Sequence, residues 1–170
     1  VSEKLKIFLY MASHNRISYL DGDIKSALEA NIVGIQRCLS FDNAKVILFS
    51  SVDVYGSNSA TLEFTEDSPV SPNSFYGLFK SISEALLQST ETSLVLRLGA
   101  LIDQRARTST VSRIANGERG PFSLSAQSSF QFISYQEVES FVRMALTDDL
   151  SGIFNLAHSE PVTLQTLADK

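Results

Sequence analysis

The chain has a single cysteine, Cys38, among its 170 residues. No intrachain disulfide can form, which suits a reducing, cytoplasmic setting. Surplus positive charge is also missing, since the formal net charge is −5. Nucleic-acid-binding surfaces normally show a basic patch, and anionic membranes draw basic segments, so neither partner is expected. Long apolar runs are absent as well. The longest, such as residues 46–49, fall far short of the roughly 20 needed to span a bilayer. Residues 1–6 open with charge and no apolar core follows, so no secretory signal is expected there. His14 and His158 lack partners at metal-ligand spacing, and no metal is expected.

What is present suits a globular domain. Hydrophobic residues make up 44% of the sequence, and the length allows one core of useful size. Residues 7–11, 45–49 and 94–98 are apolar runs of strand length, and residues 153–157 read as a last strand. Residues 130–134 read as a short β segment. Ile24, Ala27, Leu28, Ile32, Ile35 and Leu39 recur at helical spacing over 24–39. Asn73 or Ser74 can cap a helix over 75–88. Further helices are expected near 111–116 and over 137–146, and a helical pattern starts at Leu164. The stretch 53–72 is rich in turn formers and reads as a loop. Continuously apolar strands alternating with helices predict a buried parallel sheet covered on both faces, an α/β class.

The chemistry concentrates in Ser50-Ser51-Val52-Asp53-Val54-Tyr55-Gly56, then Thr65-Glu66-Asp67-Ser68-Pro69, then Tyr76-Gly77-Leu78-Phe79-Lys80. Tyr76 and Lys80 are four apart on the expected helix and share a face. A free tyrosine titrates near 10, and a neighbouring ammonium lowers that value. A shift of about 3 pH units would make Tyr76 a base at neutral pH. Ser51 ends an apolar strand, where its hydroxyl could bond a substrate oxygen and pass a proton towards Tyr76. The bland alternative pairs Lys80 with Glu84 on a solvated helix face.

The order Ser-Ser-x-x-Val-Tyr-Gly, Thr-Glu-Asp-x-Pro, Pro72-x-Ser74-x-Tyr76-Gly77-x-x-Lys80 resembles the extended short-chain dehydrogenases, the NAD-dependent epimerase/dehydratase family. The likeness continues in Phe8-Leu9-Tyr10-Met11-Ala12-Ser13, Asn31-Ile32-Val33-Gly34, Leu96-Arg97-Leu98-Gly99, Phe132-Ile133 through Glu137-Val138, and Gly152-Ile153-Phe154-Asn155-Leu156-Ala157. The resemblance implies a Rossmann-like doubly wound parallel sheet, incomplete at the N-terminus, with a small C-terminal substrate lobe. Residues 1–102 would be a partial NAD(P)-binding domain carrying the catalytic set. Residues 103–170 would be mostly substrate lobe, with 130–157 partly returning to the sheet. Ser51, Tyr76 and Lys80 would be catalytic. Met11, Ala12, Asn31, Tyr76, Lys80 and Gly99 would meet the cofactor, NAD or NADP. Ser51, Val52, Asp53, Ala100 and Phe130 would face a sugar or nucleotide sugar. Helices 24–39 and 75–88 would pair two copies into a homodimer.

The pattern also departs from the family. The opening Gly-x-x-Gly-x-x-Gly is missing, and both ends look cut, so the chain is expected to be a fragment. The alternative is a degenerate domain, or a non-catalytic sensor on the same scaffold. The family's Arg before Asp-Phe falls on Phe130, its Asn after Leu-Arg-x-x on Ala100, and a turn glycine on Asp103. Losing a planar, bidentate cation weakens phosphate recognition. Arg105, Arg107, Arg113 and Arg119 read as surface charges rather than replacements. Asp53 stands where dehydratases of the family often carry Glu; it either assists catalysis or stabilises its loop. Cys38 and both histidines read as structural.

Overall fold

The computed structural model describes residues 5–11, 24–56, 63–102, 110–115, 117–118 and 124–169. These form two compact units, residues 1–97 with 149–155, and residues 98–148 with 156–170. Ala12, His14, Asp103, Arg105, Arg107 and Arg119 lie outside the described residues.

The first unit begins with β1 (Lys6–Tyr10), α1 (Ile24–Leu28), a π-helical segment (Glu29–Val33) and α2 (Gly34–Leu39). Then come β2 (Ala44–Ser51), a 3-10 turn (Val52–Tyr55), α3 (Phe75–Leu87) and β3 (Leu94–Leu98). β7 (Gly152–Leu156) completes a parallel sheet in the order β1-β2-β3-β7. With its flanking helices this is a Rossmann-like α/β fold. Ile35, Val46, Leu48, Leu87 and Val95 form the buried centre, with Phe8, Tyr10, Cys38 and Leu39 packed around it. Cys38 is thus a packing residue, and burial pushes its thiol up.

Two expectations for this unit need correction. β2 and β3 are buried along most of their length, but β1 is not. It is an end strand of the sheet, and Leu5, Ile7, Leu9 and Met11 project alternately onto an exposed face. The 24–39 helix also contains a wider turn, where Gly34 N–H donates to Glu29 O, five residues back. Tyr10 explains the site of that turn, because its hydroxyl donates to Ala30 O. A Cβ on Gly34 would run into the same hydroxyl.

The second unit contains β4 (Ala100–Leu101), α4 (Thr110–Ala115), β5 (Ser129–Phe130) and β6 (Phe132–Ile133). It ends in α5 (Tyr135–Thr147), β8 (Val162–Thr163) and α6 (Leu164–Ala168). The single β segment expected over 130–134 is split at Gln131. β5 pairs antiparallel with β8, whereas β6 pairs parallel with β4. Val111, Ile114, Phe132 and Leu164 make its core. α5 opens with a capping box: Ser134 Oγ accepts from Glu137 N, and the Glu137 carboxylate accepts from Ser134 N. His158 Nε2 lies 2.8 Å from the same carboxylate. Hydrogen bonds from Ser134, aided by His158, hold Glu137 below the ordinary carboxylate range. Arg113 bonds Glu118 at 2.7 Å. Among the described residues, no helix is long and apolar enough to cross a membrane, and no group of His, Cys, Asp and Glu could hold a metal.

Candidate active site

The first unit gathers Ser51, Val52, Asp53, Tyr76 and Lys80 onto two adjoining pieces of backbone. Ser51 closes β2 and caps the 3-10 turn, its Oγ accepting from Asp53 N at 3.2 Å. That bond does not use the hydroxyl hydrogen. α3 starts at Phe75 because Ser74 caps it, with Oγ accepting from Gly77 N at 3.0 Å. The 3-10 turn and the first turn of α3 meet at Gly77. A Cβ there would stand 2.5 Å from Asp53 O and 3.1 Å from Pro72 Cβ. Gly77 is therefore what lets the Tyr76 turn approach the Ser51–Asp53 turn. Gly77→Ala is expected to cost about 1–3 kcal/mol by overpacking. Urea denaturation measures this, and an unchanged midpoint would show that the contact has slack.

Lys80, one turn beyond Tyr76, is 2% exposed. Its Nζ donates to Phe49 O at 2.7 Å and stands 5.8 Å from the centre of the Tyr76 ring. Burial pulls the amine down to about 8, with the charge of Glu84 opposing. Asp53 is accessible to solvent, yet the protein atoms around its carboxyl desolvate it and raise its pKa.

The bland pairing of Lys80 with Glu84 is not what the side chains do. Glu84 is fully engaged elsewhere. Arg97 Nε lies 3.2 Å from both carboxylate oxygens and Nη2 lies 2.8 Å from Oε2. Ser50 Oγ donates a short hydrogen bond to Oε1. Arg97 Nη1 also donates to the Tyr55 hydroxyl at 2.7 Å and to Glu66 O at 3.1 Å. Burial alone would lower the Arg97 pKa, but the bonds to Glu84 and Tyr55 outweigh it and raise the value. The Tyr55 hydroxyl lies 2.7 Å from Asn155 Oδ1 and 3.0 Å from Thr65 O. Its ring stacks on Phe64 at 4.8 Å. Asn155 N donates to the Glu66 carboxylate at 2.7 Å. Thr65 and Glu66 are thus tied to the 3-10 turn, β3 and β7.

Other sequence candidates fall elsewhere. Met11 follows β1 and is largely exposed. Asn31 is buried in the π segment, where its Nδ2 donates to Ala27 O at 2.8 Å and its own carbonyl accepts from Ser83 Oγ. One of its two side-chain N–H groups is thus bonded within its own helix. Gly99, Ala100 and Phe130 belong to the second unit. A Cβ on Gly99 would stand 2.5 Å from Gln131 O, so close backbone packing alone explains this glycine. Ala100 N donates to Gln131 O, and Phe130 packs at the edge of the second core. Sequence reasoning missed Ser50, Tyr55, Glu84 and Arg97. The signal was there in Arg97, a cation inside an apolar strand that had to find a buried partner.

Comparison with known proteins agrees with this fold. The model of the NAD dependent epimerase/dehydratase family matches residues 13–156. The chain belongs to that family. Its structure resembles UDP-N-acetylglucosamine 4-epimerase from Methanobrevibacter ruminantium, solved with UDP-N-acetylmuramic acid, with a TM-score of 0.80 and 21% identity over 96% of this chain and 58% of that one. It also resembles dTDP-glucose 4,6-dehydratase from Bacillus anthracis, solved with NAD, with a TM-score of 0.78 and 16% identity over 96% of this chain and 55% of that one. UDP-glucose 4-epimerase from Thermus thermophilus, solved with NAD, gives a TM-score of 0.79 and 17% identity over 97% of this chain and 60% of that one. The chain thus spans a little over half the length of these proteins. A search of curated proteins finds no match.

Proposed function

We propose that this chain carries the acid/base centre of an NAD- or NADP-dependent epimerase or dehydratase acting on a hydroxyl of a sugar or nucleotide sugar. The observation that carries the reading is the face of α3 that presents Tyr76 with a buried Lys80 beneath it, directly against the turn that begins at Ser51. Lys80 stabilises the Tyr76 phenolate, which takes the substrate hydroxyl proton at its phenolic oxygen and becomes the neutral phenol. Ser51 offers its hydroxyl hydrogen to the substrate oxygen. A nicotinamide cofactor, when bound, would supply the hydride acceptor that these side chains lack. Tyr76 and Lys80 fit its ribose side, since an ammonium has further donors beyond the one given to Phe49 O. Asn31 gives one of its two amide N–H groups to Ala27 O and keeps the other. In the working protein, two copies pair through residues 24–39 and 75–88, where Ile24, Leu28 and Leu78 are exposed.

The test uses the full-length protein with NAD and a panel of nucleotide sugars. Tyr76→Phe is expected to cut turnover at least about 100-fold with substrate binding retained. Undiminished turnover in Tyr76→Phe would remove Tyr76 from the mechanism.

A further inference from the structure

A buried lysine with a carboxylate four residues later on the same helix would ordinarily take that carboxylate as its partner. Here it does not. Glu84 is held through both oxygens by Arg97 from β3 and through Oε1 by Ser50 from β2. Lys80 instead donates to the Phe49 carbonyl, the residue before Ser50 on the same strand. Glu84 and Arg97 are each about as buried as Lys80. Their ion pair is a fixed internal element and not a surface contact that exchanges with water.

We propose that Arg97 is a positioning residue for Lys80: by holding Glu84 it withholds the competing carboxylate, so that Nζ stays on the Phe49 carbonyl, next to Tyr76. This rests on Tyr76 and Lys80 being the acid/base pair. The elements packed against α3 bring other groups into view. They are Asp53 and Tyr55 on the 3-10 turn, Glu29 on the π segment, Arg37 and Cys38 on α2, and Lys45 on β2. Lys45 is committed to Asp149 at 2.6 Å, and Tyr55 to Arg97. Of all these groups, Glu84 is the one whose charge acts on Lys80. Arg97 holds its own positive charge directly against that carboxylate, 2.8 Å from Oε2. Ser50 adds a neutral donor, which fixes the carboxylate without altering the balance of charge.

The experiment reads Lys80 itself and does not depend on turnover. The titration of the Lys80 side chain is followed by NMR in isotopically lysine-labelled protein, with the resonance assigned by its loss in Lys80→Met. Native protein, Arg97→Met and Arg97→Met/Glu84→Gln are compared, with amide spectra confirming the fold. In Arg97→Met the freed carboxylate pairs with Lys80, whose midpoint rises by about one pH unit or more. In the double variant both charges are gone, and the midpoint returns to within about half a pH unit of native. A single variant with an unmoved Lys80 overturns the proposal. So does a double variant in which the midpoint falls by about one pH unit or more, because Glu84 would then have been Lys80's effective counter-ion throughout. Should Arg97→Met alone fail to fold, the charge-free double variant decides by the same criterion. A negative result here leaves the Tyr76→Phe test of the proposed function standing on its own.

Discussion

Arg97→Met is expected to destabilise the protein by about 3–5 kcal/mol, the range found when one partner of a buried ion pair is removed. Arg97 and Glu84 are buried to the same degree, with side chains 2% and 3% exposed. Water therefore cannot take over the role of the lost guanidinium. The cost is mainly that of a stranded charge. Of its present partners Glu84 keeps the Ser50 hydroxyl alone, and its new pairing with Lys80 offsets only part of the loss, while the Tyr55 hydroxyl and Glu66 O each lose a donor. Converting Glu84 to Gln in the same background removes the stranded charge and preserves an acceptor for Ser50. The double variant should regain about 2 kcal/mol of the loss. Urea denaturation of the native protein, both single variants and the double completes a thermodynamic cycle. A coupling energy of about 2 kcal/mol or more is expected, since the residues share one network. Additive single losses would show that Arg97 contributes packing and not charge.

That network also shows where sequence reading stopped. Element positions were largely legible. The apolar run at 94–98 is β3, Ser74 of the two candidates caps α3, and the helix ends at Leu87, one residue before the expected Gln88. These features are local, set by periodicity and by side-chain bonds to nearby backbone. The motif order identified the family for the same reason, because the spacing of Ser51, Tyr76 and Lys80 is a local pattern. Long-range polar pairing was not legible. Glu84 has two plausible cations, Lys80 one turn away and Arg97 on a strand, and sequence distance favoured the wrong one. What decides between them is the register of α3 against β2 and β3, which no local window contains. The π turn at Glu29–Val33 escaped for a similar reason, as the Tyr10 hydroxyl that bonds to it comes from β1, distant in sequence. The split at Gln131 was hidden because two short β pieces pairing with different strands look like one segment in sequence.

Lys80→Met is expected to change how stability depends on pH, and by about 3 kcal/mol. The native amine titrates at about 8 instead of 10.5 because burial penalises its charge. Below about pH 8 both folded and unfolded chains carry the proton, and the folded state bears the whole penalty. Between about 8 and 10.5 the unfolded chain still holds a proton that the folded chain has released. Stability therefore rises with pH across that window, by an amount the shift sets at about 3 kcal/mol. Met has no charge to bury, so the variant lacks this rise. It does leave the Phe49 carbonyl without its donor, a loss of about 1–3 kcal/mol at every pH. Relative to native protein, the variant should thus be at its best near pH 7 and lose about 3 kcal/mol of that standing by pH 10.5. Titrating groups that do not interact with Lys80 cancel in the difference, which urea titrations at pH 7 and pH 10.5 supply, and a shared Tyr76→Phe background removes the one coupled to it. A pH-independent difference would mean that Lys80 keeps an ordinary affinity for its proton. The burial that sets it against Tyr76 would then carry no electrostatic penalty, and the catalytic reading would have to find the lysine's role in hydrogen bonding alone.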